Sequence, residues 1–140
     1  MFKSWYKLLD KDVVVCDTIQ TTTSFPKESD LTDYLGKTMR KAGWKYLRVD
    51  TVNQMGFPDI LLLKGTHYWQ IEAKILRKKR LVSLEDDLKW QFGQIGYFKR
   101  ALSLNLNYML IVAKDNTVAY IKGENNVQQC FDYPNFIKLI

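Results

Sequence analysis

The sequence has one histidine, His67, and only two cysteines, Cys16 and Cys130, in 140 residues. Neither cysteine belongs to a CxxC pair, so the ligand spacing of a structural zinc site is missing, and both thiols read as reduced and without a chemical role. No apolar run approaches the roughly 20 residues that a membrane-spanning helix needs, so no membrane partner is expected. The opening residues, Met1 to Lys7, lack the apolar stretch of a secretion signal, and the expected location is cytoplasmic. Walker loops, GxGxxG, GxSxG and HExxH are also absent, which removes the common signatures of nucleotide binding, serine hydrolysis and zinc proteolysis.

What remains is an ordinary composition, 46% hydrophobic and 26% charged, with a formal net charge of +6. The length suits one domain spanning residues 1–140. The positive balance favours polyanionic partners such as nucleic acids.

Residues 2–10 read as a short helix and 12–20 as a strand. Leu31, Leu35, Thr38, Met39 and Ala42 recur at helical spacing, which predicts a helix over 27–42 closed by Gly43. Residues 45–51, 59–63 and 67–75 read as three strands of an antiparallel meander, with a turn at Lys64-Gly65-Thr66. Ser83, followed by Asp86, opens a second long helix whose stripe is Leu84, Leu88, Ile95, Phe98 and Leu102. Strands follow at 107–113 and 117–122, then short helical pieces over 124–140. The order, helix, three strands, helix, strand, describes an α/β fold with a central mixed sheet flanked by helices.

The most informative segment is Gly56-Phe57-Pro58-Asp59, followed after twelve residues by Glu72-Ala73-Lys74. Asp59 begins one strand of a hairpin and Glu72 lies near the far end of its partner, so pairing brings the two carboxylates together. Side chains alternate along a strand, so Tyr68, Gln70, Glu72 and Lys74 share one face, while Trp69, Ile71, Ala73 and Ile75 take a core face. Adjacent carboxylates repel unless a cation sits between them, and oxygen donors of this kind suit magnesium or manganese. A surface hairpin with scattered charges has the same residue types. The loop, the spacing and the basic residues that follow coincide here, which favours a site.

The motif Pro58-Asp59…Glu72-Ala73-Lys74 resembles that of the PD-(D/E)XK nuclease superfamily, and the order of elements over about 26–113 is similar too. Within that superfamily the chain looks most like small phage and virus-type replication-repair nucleases and archaeal Holliday junction resolvases. The resemblance implies a restriction-endonuclease-like αβββαβ core and Mg2+-dependent hydrolysis of DNA phosphodiester bonds, with Mn2+ as a substitute. It implies that Asp59 and Glu72 hold the metal with the backbone carbonyl of Ala73, and that Lys74 assists the attacking water. Such families add an acidic residue from the first helix. Glu28 matches best, because it precedes Leu31 by three and Leu35 by seven and so falls on the core-facing stripe. They also place a glutamine on the helix after the lysine. Gln91, inside the apolar stripe, is the first choice for positioning substrate or water, and Gln94, on its flank, is the second. A phage-encoded enzyme of this kind works in the host cytoplasm.

Arg77, Lys78, Lys79 and Arg80 crowd positive charge just past the motif strand and read as phosphate contacts for DNA, with Gln94 beside them. Lys37, Arg40 and Lys41 read as a solvated helix face, and Trp44, Tyr68, Trp69 and Trp90 as core or rim aromatics. His67 stands at the hairpin turn, far from Glu72, and is a poor ligand. A homodimer or higher homo-oligomer would present two sites to two strands. Three alternatives stay open: an inactive DNA-binding or inhibitory protein with the same fold, a Holliday-junction or branched-DNA resolvase, and a homing-type endonuclease.

Overall fold

The computed structural model describes residues 5, 6, 9–49 and 56–126. A six-stranded mixed sheet runs through it. The strands are β1 (Val13–Gln20), β2 (Lys45–Arg48), β3 (Ile60–Lys64), β4 (His67–Ile75), β5 (Tyr108–Lys114) and β6 (Thr117–Gly123), in spatial order β1-β6-β5-β4-β3-β2. β4 and β5 pair in parallel and every other neighbour is antiparallel. Parallel pairing needs a crossover, and here it is formed by the helices α2 (Leu84–Asp87) and α3 (Gln94–Ser103). The helix α1 (Glu28–Lys41) precedes β2, so the succession from α1 to β5 is the expected αβββαβ core around a mixed sheet.

The two faces of the sheet are covered by different helices. α1 sends Leu31, Leu35 and Met39 onto Ile60, Leu62, Ile71, Ala73 and Ile111. The crossover sends Leu84, Phe98 and Ala101 onto the opposite face, against Leu110, Val112 and Ile121. Every residue of β6 and all but the last of β5 are buried. That explains why these strands read as continuous apolar runs rather than alternating ones. Each fully buried aliphatic side chain contributes about 1.5–3 kcal/mol.

Three expectations need correction. Tyr6 makes a parallel bridge with Leu81 and is not helical; the rest of that predicted segment, apart from Trp5, Leu9 and Asp10, lies outside the described residues. The second long helix is broken in two. Ser83 Oγ caps α2 by accepting from the Asp86 backbone N–H at 3.2 Å, but α2 ends after one turn. The Leu84 carbonyl, free to continue the ladder, instead accepts the Trp90 indole N–H at 2.7 Å. Gly93, in the left-handed region at φ 86°, is then the N-cap of α3. Finally, Cys16 is disulfide-bonded and so is not a free thiol. Cys130, the predicted loop residues 53–55 and the tail from 127 onward lie outside the described residues, and Glu124–Asn126 form a short 3-10 turn.

Candidate active site

β4 carries the centre of the site. Its register with β5 pairs Glu72 with Leu110 and Lys74 with Val112, so both charged side chains point to the face covered by the crossover. There they are 1% and 2% exposed. Burying charge is costly unless it is partnered, and the partners are internal. Lys74 Nζ lies 3.5 Å from Glu72 Oε2 and donates to Gln94 Oε1 at 2.7 Å. The Gln94 amide nitrogen faces both Glu72 oxygens at 3.4 Å. Trp90 lies alongside, with Lys74 Nζ 5.1 Å from its ring centroid.

Asp59 reaches the same place from β3. The last β3–β4 pair is Ile60 with Ile71, and one further step along that register sets Asp59 across from Glu72. The Asp59 carbonyl accepts the Val49 backbone N–H at 2.7 Å, which fixes the start of β3 against the end of β2. The preceding loop is pinned from the other side. Gly56 has φ 86°, and a Cβ there would sit 2.1 Å from the Gly93 carbonyl oxygen. Only glycine permits this conformation together with this approach. The contact ties the Asp59 loop directly to the N-terminus of α3 and so to Gln94. Phe57 packs edge-on against Tyr97 at 5.5 Å, and the Tyr97 hydroxyl donates to Gln70 Oε1 at 3.0 Å, adding two more ties between loop, α3 and β4.

The electrostatics follow from this placement. Burial drives the Glu72 carboxyl up to about 8; Lys74 opposes the rise, and the charges of Asp59 and Glu28 add to it. Glu28 occupies the first turn of α1, exposed at the mouth of the site and not on the core-facing stripe. Its carboxyl is nonetheless crowded, and that desolvation raises its pKa; Lys74 lowers it, Asp59 raises it, and Arg77 and Lys89 lower it. Three carboxylates and Lys74 therefore sense one another. Ala73 is buried on the α1 face, and past Ile71 no β3 residue pairs with β4.

Among the described residues, no three acidic, histidine or cysteine side chains are gathered closely enough to hold a metal ion. The donor set nevertheless fits a hard divalent cation in kind. Glu72 is a buried carboxyl facing one ammonium and one neutral amide, and two further carboxylates raise its pKa. An added positive charge would relieve that excess.

The two glutamines exchange places relative to the sequence expectation. Gln91 is exposed and precedes α3; it meets Gln94 through its backbone, its N–H donating to Gln94 Oε1 at 2.8 Å and its carbonyl accepting the Gln94 N–H at 3.1 Å. Gln94 is the glutamine inside the cluster, 6% exposed. The interrupted helix is the cause, because Gln91 falls in the non-helical stretch between α2 and α3 while Gln94 opens α3. The basic run also divides. All four residues are exposed, but Lys78 is engaged by Asp87 Oδ1 at 3.1 Å and its carbonyl accepts Lys114 Nζ at 2.8 Å. Asp87 is held down to about 2 by the backbone N–H groups of Ser83 and Val82 and by Lys78. The Arg77 charge lowers the Glu28 pKa. Trp90 and the Gly56–Gly93 contact were not singled out from the sequence as site features; the glycine in Gly56-Phe57-Pro58-Asp59 was the available signal.

No family model matches the chain, and no curated protein matches it. A similar solved structure is Hjc, a Holliday junction resolvase from the archaeal hyperthermophile Archaeoglobus fulgidus. It is 16% identical, with 76% of this chain and 98% of that chain covered and a TM-score of 0.44. At that degree of overlap the likeness assigns neither activity nor substrate. Among the described residues no helix is long and apolar enough to cross a membrane.

Proposed function

We propose that the protein is a divalent-metal-dependent endonuclease that hydrolyses phosphodiester bonds in DNA. The observation that carries this reading is the buried Glu72–Lys74–Gln94 cluster, with Asp59 across from it on the neighbouring strand. A buried carboxylate held at about 8 beside two more acidic groups is poorly explained as a structural feature, and perturbed groups of this kind concentrate at functional sites.

Asp59 and Glu72 would hold Mg2+ or Mn2+, assisted by Glu28 and the Ala73 carbonyl. The ion supplies an acidified water and positive charge against the attacked phosphate. The chain does the rest. Gln94 fixes Glu72 and Lys74 relative to each other through its amide. Lys74 Nζ is placed to orient the attacking water and offset charge developing on the phosphate. Water adds to phosphorus, the bond to one sugar oxygen breaks, and that oxygen takes a proton. Arg77, Lys79 and Arg80 contact flanking phosphates. DNA is preferred to RNA on the resemblance of the motif.

The test is a cleavage panel with magnesium, manganese or chelator on linear, supercoiled, single-stranded and four-way-junction DNA and on RNA. Metal-dependent cutting that Glu72→Gln removes is expected. A folded parental protein that cuts nothing under any of these conditions would make it a binding protein on a nuclease fold.

A further inference from the structure

The segment between the two crossover helices, Leu88 to Gly93, presents Phe92 to solvent with 83% of its surface exposed. An isolated exposed aromatic is unremarkable on a loose loop, but this loop is held at several points. The Trp90 indole donates to Leu84 O at 2.7 Å, the Gln91 N–H donates to Gln94 Oε1 at 2.8 Å, and Gly93 abuts Gly56 through backbone. The apolar space beneath is taken: Trp90 packs tilted against Phe98 at 5.4 Å between ring centroids, and Phe98 against Tyr108 at 5.6 Å. Phe92 therefore has no internal site to fold into, and its backbone is fixed two residues from Gln94. Lys89, on the same segment, is exposed, and the Gln91 bond to Gln94, which itself contacts Lys74 and Glu72, sets the segment beside the buried cluster.

We propose that Phe92 stacks on a DNA base that has left the helical stack next to the cleavage site. The proposal rests on the nuclease reading and extends it to substrate structure. In an intact duplex both faces of every interior base are covered by neighbouring pairs. An aromatic ring gains a face only at a gap, an end, a branch or a step that it wedges open. A rigid ring loses little freedom on stacking, and the exposed cation on the same segment, Lys89, draws in the phosphates of the same strand. The substrate class is DNA with an interrupted stack.

Fluorescence anisotropy in chelator, where metal-dependent cutting cannot interfere, compares an intact duplex with the same duplex carrying a one-nucleotide gap. The parental protein should prefer the gapped DNA. Phe92→Ala should lose about five- to hundredfold of that preference, the size of one base–aromatic stack, with affinity for intact duplex little changed. Phe92→Trp should restore the preference. A 2-aminopurine placed beside the gap should be quenched by the parental protein and not by Phe92→Ala. A preference that survives in Phe92→Ala, or none in the parental protein, overturns the proposal. So does a change from two copies to one in light scattering of Phe92→Ala, which would make the ring a self-association anchor. Cleavage with magnesium keeps the two readings apart. A parental protein that shows a Phe92-dependent preference yet never cuts loses the nuclease reading alone. One that cuts while Phe92→Ala binds as before loses only the stacking role.

Discussion

Glu72 carries a carboxyl that stays protonated up to about 8, where an unburied one would ionise near 4.5. Between those values the folded chain binds more protons than the unfolded chain, so stability falls as pH rises from about 4.5 to 8 and levels off above. The slope from this group approaches 1.4 kcal/mol per pH unit at most. Urea denaturation at pH 5 and pH 8 should show the parental protein losing a few kcal/mol, and Glu72→Gln should remove most of that loss. The same variant should cut DNA at least about a thousandfold more slowly, because the site then lacks its central anionic oxygen. A gain in stability at pH 8 together with lost activity would mark the residue as retained for function. Metal loading should act on the same proton. If Glu72 holds the metal as proposed, calorimetry in buffers of different ionisation enthalpy should record the release of nearly one proton per Mg2+ at pH 7, since its carboxyl would have to ionise.

At the scale of elements, the break between α2 and α3 decides which glutamine belongs to the site. Gln94→Ala should reduce cleavage by about ten- to hundredfold, as removal of a positioning group typically does, while Gln91→Ala, which keeps the backbone N–H, should cut at nearly the parental rate. Equal losses in steady-state assays would return the sequence's first choice to consideration. Gly56→Ala meets both an unfavourable φ and the Gly93 carbonyl. It should cost about 1–3 kcal/mol in thermal or chemical denaturation and also lower activity, because Asp59 moves with its loop. Much of this level was legible in the sequence. The periodicity of α1 placed it within a residue at each end, and the hairpin through Gly65 set Asp59 against Glu72 with the register the structure has. Glu28 was expected on the core-facing stripe, but it lies exposed in the first turn of α1, where helical spacing alone does not ensure burial. The broken crossover was not legible. Leu84, Leu88, Ile95 and Phe98 keep helical spacing across the gap, and the side-chain-to-backbone bond from Trp90 to Leu84 leaves no mark on periodicity.

For the whole molecule, a net charge of +6 sits beside an acidic cluster, so the proposed DNA binding would rely on where the cations lie. Arg77, Lys79 and Arg80 are exposed, whereas Lys78 braces α2 through Asp87. Replacing Arg77, Lys79 and Arg80 by glutamine should reduce the slope of log affinity against log salt by roughly two to three without altering the melting temperature. An unchanged slope removes the run from the interface.

The parallel pairing of β4 with β5 has a consequence for the order of events during synthesis. Glu72 and Lys74 emerge more than thirty residues before Tyr108, and until the crossover docks they lie on a strand with one uncovered face. Distant parallel contacts form late and slowly. A chain stalled before β5 would carry every acidic group of the motif and still leave its ammonium and carboxylate hydrated and unconstrained. The buried Glu72–Lys74–Gln94 cluster should therefore assemble in one step with the closing of the sheet.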